Sequence, residues 1–356
     1  MKSTVKSSKN RIMTFKTLLK DIDPKNAVFL VGNGINLYRH YLEDACDCCP
    51  QRTQEKKGRT GKKALSWCDF LQKYCRKQEI GIDVPNVTDL TFPEIVCLLD
   101  LQKSRSASGT AAKDSNTGID SKVRLLLAED LLKINKQDAV HQQFLNYAAA
   151  KDIPVLTTNI DRLLSMHLSE RKLALTGDPY FTATKSYKWN YCYTEKALPT
   201  DNQAKLGLAQ HFAVWHIHGL ADYQDTIKIG LDDYINCTSQ AKKLLSSTGK
   251  DRISLFDAKT DVWAGRNTWL DLFFRRQIIV IGLALDSQEV FLRWLFIQRA
   301  KYLKLKYPDP EKRPKAWFIH TDANLSDKSP KGIFFKACGM DLIREKRFCD
   351  IYKNFK

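Results

Sequence analysis

The sequence predicts a three-layer α/β fold, a mostly parallel sheet covered on both faces by helices. Three observations carry this. The runs "AVFLV" (27–31), "QIIVIGLAL" (277–285) and "KAWFIHT" (315–321) are apolar without alternation, as strands buried on both faces are. Strand–turn–helix units recur along the chain, the pattern of a parallel sheet with helical crossovers. The first strand ends in Gly32-Asn33-Gly34 and opens a helix-like stretch, a turn suited to close approach of backbone and phosphate.

The elements follow in order. A basic arm, 1–26, contains the helix-like "FKTLLKDI" and leads into strand 27–31. The helix opening near Ile35 fades into the basic stretch 51–63, read as a loop. "ALSWCDFLQKYC" sets Leu65, Phe70, Leu71 and Tyr74 at helical spacing. "TFPEIVCLLDL" places Thr91 and Glu94 in capping-box relation. Residues 102–122 are rich in Ser, Gly and Lys and read as a flexible loop. Helices are expected over 122–134 and 138–150, so that about 64–150 forms a helical insertion lobe beside the sheet. "IPVLTTNID" (153–161) is strand-like and hands over to a helix through "RLLSMHL"; 178–207 is tyrosine-rich and irregular. A strand "FAVWHIHG" (212–219), helices at 232–247 and around "NTWLDLFF", strand 277–285, a long helix 287–305 and strand 315–321 complete the domain, 27–320. A mixed tail, 321–356, packs on it.

Composition bounds the chemistry. The 356 residues are 43% hydrophobic, enough for one large core, and carry a net charge of +17, which favours anionic partners. Ten cysteines at irregular spacing, with no secretory pattern in the Lys-rich N-terminus, point to reduced thiols and a cytoplasmic protein. No apolar run reaches membrane-spanning length. The cluster Cys46, Cys48, Cys49 has no second paired motif at zinc-site spacing, so no metal is expected.

In a doubly wound sheet, ligands bind where strands end at their carboxyl edge. The turns at 32–36, 157–161, 216–220 and 282–287 should therefore share one crevice. A nicotinamide dehydrogenase is disfavoured: Leu37 stands where the third glycine of GxGxxG would be, and no acidic second strand follows. No GxxxxGK[ST] phosphate loop exists either. What the strand ends do present is an amide (Asn159), carboxylates (Asp161, Asp286), an imidazole (His218) and glycines (Gly32, Gly34, Gly282). Such a set could bind a dinucleotide and assist chemistry at a ribose. Each residue also has a plainer reading. Asn159 could cap a helix at Ile160, Asp161 could answer a helix dipole, and Asp286 could cap the long helix. His218 could be a satisfied strand-end histidine. His216, on the same strand and face, reads as a packing residue rather than half of a metal pair.

"GNGIN", "TTNID", "HG" and "GLALD" follow the order and spacing of the sirtuin motifs, and over about 27–320 the chain resembles a sirtuin. "ALSWCDFL" is similar to a Ser-Trp helix of the sirtuin-like NAD hydrolases of bacterial antiphage defence. The resemblance implies a Rossmann-like, sirtuin-like domain with NAD+ as substrate. It implies Asn159 and His218 as catalytic residues, and Gly32, Asn33, Gly34, Asn36, Thr158, Asp161, Gly282 and Asp286 as NAD+-binding residues. Departures are evident. Asn33 and Asn36 replace alanine and serine, Thr158 a glutamine, and Leu283 and Ala284 a Thr-Ser pair. The four-cysteine zinc module of the deacetylases is missing, Cys192 being the single cysteine between Asp161 and His218. The pattern favours NAD+ cleavage to nicotinamide and ADP-ribose over lysine deacylation. A non-catalytic nucleotide or nucleic-acid binding module is the other alternative. The resemblance further implies an NAD-depleting effector of abortive infection, oligomeric or switched on by a separate partner. That partner would be a motor-type ATPase, an Argonaute-like protein or an enzyme-like nucleotide sensor, and nucleic acid would be met only through it.

Overall fold

A computed structural model of the chain describes residues 13–41, 67–77, 90–98, 120–173, 189–195, 211–246, 254–256, 263, 265, 266 and 268–355. The clusters and loops expected at Cys46–Cys49, 51–63, 102–119 and most of 178–207 lie outside them.

The elements run α1 Phe15–Asp21, β1 Ala27–Val31, α2 Gly34–Tyr41, α3 Trp67–Lys77, α4 92–98, α5 Asp120–Leu132, α6 Ala139–Ala150, β2 Val155–Thr157 and β3 Ser169–Lys172. After these come β4 Tyr191–Thr194, β5 Val214–His216, α7 Leu231–Leu245, α8 Trp269–Arg275, β6 Gln277–Ile281 and α9 Val290–Lys306. The chain closes with β7 Ala316–His320, α10 Pro330–Ala337, β8 Met340–Arg344 and α11 Phe348–Tyr352.

The eight strands form one sheet in the order β3-β4-β5-β2-β1-β6-β7-β8. The six from β5 to β8 are parallel, and β3 and β4 extend the edge antiparallel. Counted among themselves the parallel strands run 3-2-1-4-5-6, the order of a doubly wound sheet, consistent with a Rossmann-like fold. The chain reverses its direction of winding between β1 and β6, so the ligand crevice of such a sheet lies at their carboxyl ends.

Burial explains the central strands. Every residue of β1 is buried, because alternate side chains enter different cores. Val28 and Leu30 join the cluster under α7, α8 and α9; Ala27, Phe29 and Val31 join that of α1, α6 and the C-terminal helix. Helix α6 thus covers the sheet, through Val140, Phe144 and Ala148. A third cluster, from α3, α4 and α5, packs on Ile160, Ala221, Ile227 and Ile229, the segments that follow β2 and β5. The capping box at α4 forms, with Thr91 N–H donating to Glu94 Oε2 at 2.6 Å. Its Phe92 N–H reaches Gln288 at 3.4 Å, tying α4 to the turn after β6.

Three expectations change. Residues 160–168 form turns and not a helix: Asp161 Oδ1 accepts from Leu163 N–H and Ser165 N–H bonds Arg162 O. The stretch expected to be irregular contains β4, and the residues just after "RLLSMHL" form β3. The tail contributes β8, so the sheet extends beyond residue 320. Cys75, Cys97, Cys192, Cys237, Cys338 and Cys349 are unbridged, and among the described residues no helix is long and apolar enough to cross a membrane.

Candidate functional site at the carboxyl edge of the sheet

One row of the sheet organises the site. Val31 registers with Thr157 on one side and Ile281 on the other, and Thr157 registers with His216. Two residues past that row stand Leu283, Asn33, Asn159 and His218. Residues read from four separate stretches of sequence therefore emerge side by side along one edge.

At the switch point the turns after β1 and β6 are clasped. Gly32 N–H donates to Ile281 O at 3.0 Å and Gly34 N–H to Gly282 O at 2.7 Å. A β-carbon on Gly34 would lie 2.5 Å from the Gly282 α-carbon. Gly282 has φ +62°, and its own β-carbon would meet Tyr352 Oη at 2.7 Å. These glycines are required by backbone against backbone. The N–H groups of Gly32 and Gly34 are engaged, so a phosphate here would depend on the N-terminus of α2 and its side chains rather than on these two donors.

Asn36, Asn33 and Asp161 come together. Asn36 Nδ2 donates to Asp161 Oδ2 at 2.7 Å and to Asn33 Oδ1 at 2.9 Å. His141 completes the chain. Asp138 N–H donates to its Nδ1 at 3.2 Å, which leaves the proton on Nε2 to be donated to Asn36 Oδ1 at 2.9 Å. Asn36 Nδ2 and His141 Nε2 each have an acceptor within it. Burial raises the Asp161 pKa, opposed by the bonds from Leu163 N–H and Asn36. Sequence reading missed His141. Its one local trace is the pairing of Asp138 with a residue three further on, at the start of α6.

Asn159 and His218 differ from that relay. Asn159 is 5% exposed, and neither its Oδ1 nor its Nδ2 has a hydrogen-bond partner. The capping role open to it is not taken up, because no helix follows. His218 is also 5% exposed, with an unpartnered Nε2. Buried amides and imidazoles are normally satisfied. A pair left open at a sheet edge is what a site for a polar ligand presents. Thr158 takes part through its backbone, its N–H bonding Val31 O at 3.0 Å.

Burial, and then the nearby Lys228 cation, lower the His218 pKa to about 4, well under the 6.5 of a solvated ring. The ring is neutral at physiological pH. Lys228 is itself 6% exposed, with its Nζ 3.9 Å from Asp233, whose carboxylate also receives Arg124 at 2.8 Å. The His218 ring meets Tyr234 edge-on, with centroids 5.9 Å apart. Burial, and then the charges of Glu289 and Asp233, raise the Tyr234 pKa. Glu289 Oε2 is out of solvent without a partner, and burial together with Asp286 pushes its carboxyl up to about 7. Asp286 is exposed and accepts from Gln288 N–H at 3.2 Å. The helix cap expected of it falls instead at Glu289. Lys228, Tyr234 and Glu289 carried no motif that could have singled them out.

His216 does not share the surroundings of His218. The strand ends at His216, and its Nδ1 donates to Asn159 O at 2.9 Å while Nε2 accepts from Ser165 Oγ at 2.9 Å. Both nitrogens are used, as a packing role requires. Among the described residues no group of three or more His, Cys, Asp or Glu is placed to hold a metal ion. No protein-family model matches the chain, and no curated protein matches it.

Proposed function

We propose that the chain is a sirtuin-like NAD+ glycohydrolase, cleaving NAD+ to nicotinamide and ADP-ribose. The observation that carries this reading is the open pair Asn159 and His218, buried and two residues beyond the same sheet row, beside the β1–β6 switch point. The reaction breaks the bond from ribose C1′ to the nicotinamide nitrogen and forms a bond from C1′ to a water oxygen. One proton is released. The leaving group departs neutral, so the protein mainly needs to hold the ribose, exclude bulk water and place the nucleophile. Asn159 has a donor and an acceptor to offer the nicotinamide ribose or the water. His218, neutral and with a free ring nitrogen, accepts a proton from either. Its lowered pKa makes it a weak base that is unprotonated throughout the neutral range. The Asn33–Asn36–Asp161 relay and Asp286 bind the rest of the dinucleotide.

In this reading the protein is the NAD-depleting effector of an antiphage system, and a separate partner or self-association switches it on. The test is to incubate the full chain with NAD+ and follow free nicotinamide, alone, at rising concentration and with proteins encoded beside it. Release without any acylated peptide is expected. Release that requires an acyl-lysine peptide would turn the assignment to a deacylase.

A further inference from the structure

A concavity lies beside His216, at the antiparallel edge of the sheet. Its wall includes Tyr191 and Tyr193 of β4, His216 at the end of β5, and Tyr223 and Thr226 from the turn that follows. It encloses ≈ 320 Å³, open solvent at its mouth included. Most of that space is open mouth, so the depression takes the head of a ligand and not a whole molecule.

The polar atoms of this wall are largely engaged. Tyr193 Oη and Tyr223 Oη both donate to Glu170 Oε2, each at 2.7 Å. Thr226 Oγ1 donates to Tyr223 O at 2.6 Å and accepts from Leu220 N–H at 3.1 Å. Both nitrogens of His216 are bonded. A ligand here would be recognised by aromatic surface, with charge supplied from behind. Glu170 is the source of that charge. Its bond is the first cause that pushes the Tyr223 phenol up to about 12, so the phenol keeps its proton and the carboxylate stays close behind the rings. Asp222 adds a second carboxylate near both phenols, paired with Arg162 at 3.3 Å. Two carboxylates thus stand beside a tyrosine-lined spot, one of them paired with Arg162. Lys172 already places its Nζ 5.6 Å from the Tyr191 ring centroid, so one of these rings accepts an ammonium from within the chain.

We propose that the depression lined by Tyr191, Tyr193 and Tyr223 and backed by Glu170 binds an alkylammonium group. Phenol rings attract such a cation through their quadrupole, and a carboxylate behind them strengthens the field. Its lining includes neither Asn159 nor His218, and the proposal does not rest on NAD+ chemistry. The group could be a free quaternary amine or the methylated side-chain head of a lysine in a peptide.

The experiment is saturation-transfer NMR on the full chain with choline, with a trimethyl-lysine peptide, and with 3,3-dimethylbutan-1-ol, the uncharged isostere of choline. Choline should bind about tenfold more tightly than the alcohol, within the range of partly desolvated cation–π contacts. A peptide that binds more tightly than choline assigns the natural ligand to a protein, and equal binding assigns it to a free amine. Tyr223→Ala, at a half-exposed position that should tolerate truncation, is expected to weaken choline by about tenfold. Tyr223→Phe should keep most of the affinity, and Glu170→Gln should lose several-fold by removing charge while leaving an acceptor. Equal affinity for choline and its isostere, choline binding unchanged in Tyr223→Ala, or no saturable binding would overturn the proposal. So would tighter binding of an uncharged aromatic such as adenine.

Discussion

Gly34 donates its N–H to the carbonyl oxygen of Gly282 across 2.7 Å, fastening the turn after β1 to the turn after β6. The bond closes the sheet at its switch point and leaves no room for a side chain on either residue. The Gly-x-Gly signature is therefore explained first by this contact, and the crevice it borders takes its shape from it.

Gly34→Ala should be costly. The added methyl would sit 2.5 Å from the Gly282 α-carbon and 2.8 Å from its carbonyl oxygen, and both are backbone. Forcing the turns apart should cost about 1–3 kcal/mol, the range for overpacked interiors. Gly282→Ala adds a φ of +62° to a clash with Tyr352. Urea unfolding of both variants measures this, and a midpoint equal to that of the parent would remove the clasp from the account.

The central strands were legible because residues such as Phe29 and Leu30 are buried on opposite faces, which produces an unbroken apolar run. The edge was not. β3 reads Ser-Glu-Arg-Lys and is exposed or half-buried throughout, so it carries no hydrophobic period to recognise. The spacing of Leu163, Leu164 and Leu168 suggests a helix, but Asp161 accepts the Leu163 N–H and bends the chain into turns. Asn159 and His218 were found because each follows a strand that was itself legible. His141 was not, since it reaches Asn36 from 105 residues away.

The relay through His141 should contribute to stability independently of any catalysis. His141→Phe keeps the volume of a ring that is 1% exposed but removes the donor to Asn36 and the acceptor for Asp138 N–H. Stranding buried groups in this way costs about 1–3 kcal/mol. His141→Gln carries both a donor and an acceptor and should recover part of the loss. Thermal or urea unfolding decides, and a fully stable Phe variant would show the relay to be incidental.

Asn159 should show the opposite balance. Its amide is buried without partners, so the ligand-free protein bears the cost of its desolvation. Asn159→Leu, similar in size and apolar, should leave stability unchanged or raise it by about 1 kcal/mol. NAD+ cleavage should fall about 10²-fold or more if the amide orients ribose or water. Stability and activity would then move in different directions at one position. A variant that unfolds more easily than the parent would mark Asn159 as a structural residue.

The final prediction concerns acid. His218 has a folded-state pKa of about 4, depressed by burial and then by Lys228, against an unfolded value near 6.5. Above 6.5 the ring is neutral in both states and has no effect on stability. Between 6.5 and 4 the unfolded chain takes up a proton that the folded ring refuses, so stability falls as pH is lowered through that window. The full effect is roughly 3 kcal/mol for this ring. His216, also lowered to about 4 with burial the leading cause, adds to the loss in the same direction. His218→Asn does not titrate, so its stability should decline less than the parent's between pH 7 and pH 4. Lys228→Met removes the second cause, raises the His218 pKa and should narrow the window from its acid end. In the proposed hydrolase the acid limb of kcat/KM should lie near pH 4 rather than near 6.5, because His218 stays unprotonated until then. Unfolding midpoints measured across this range for the parent, His218→Asn and Lys228→Met test the argument without reference to activity. Parallel pH dependences for all three would show that neither residue governs the acid response.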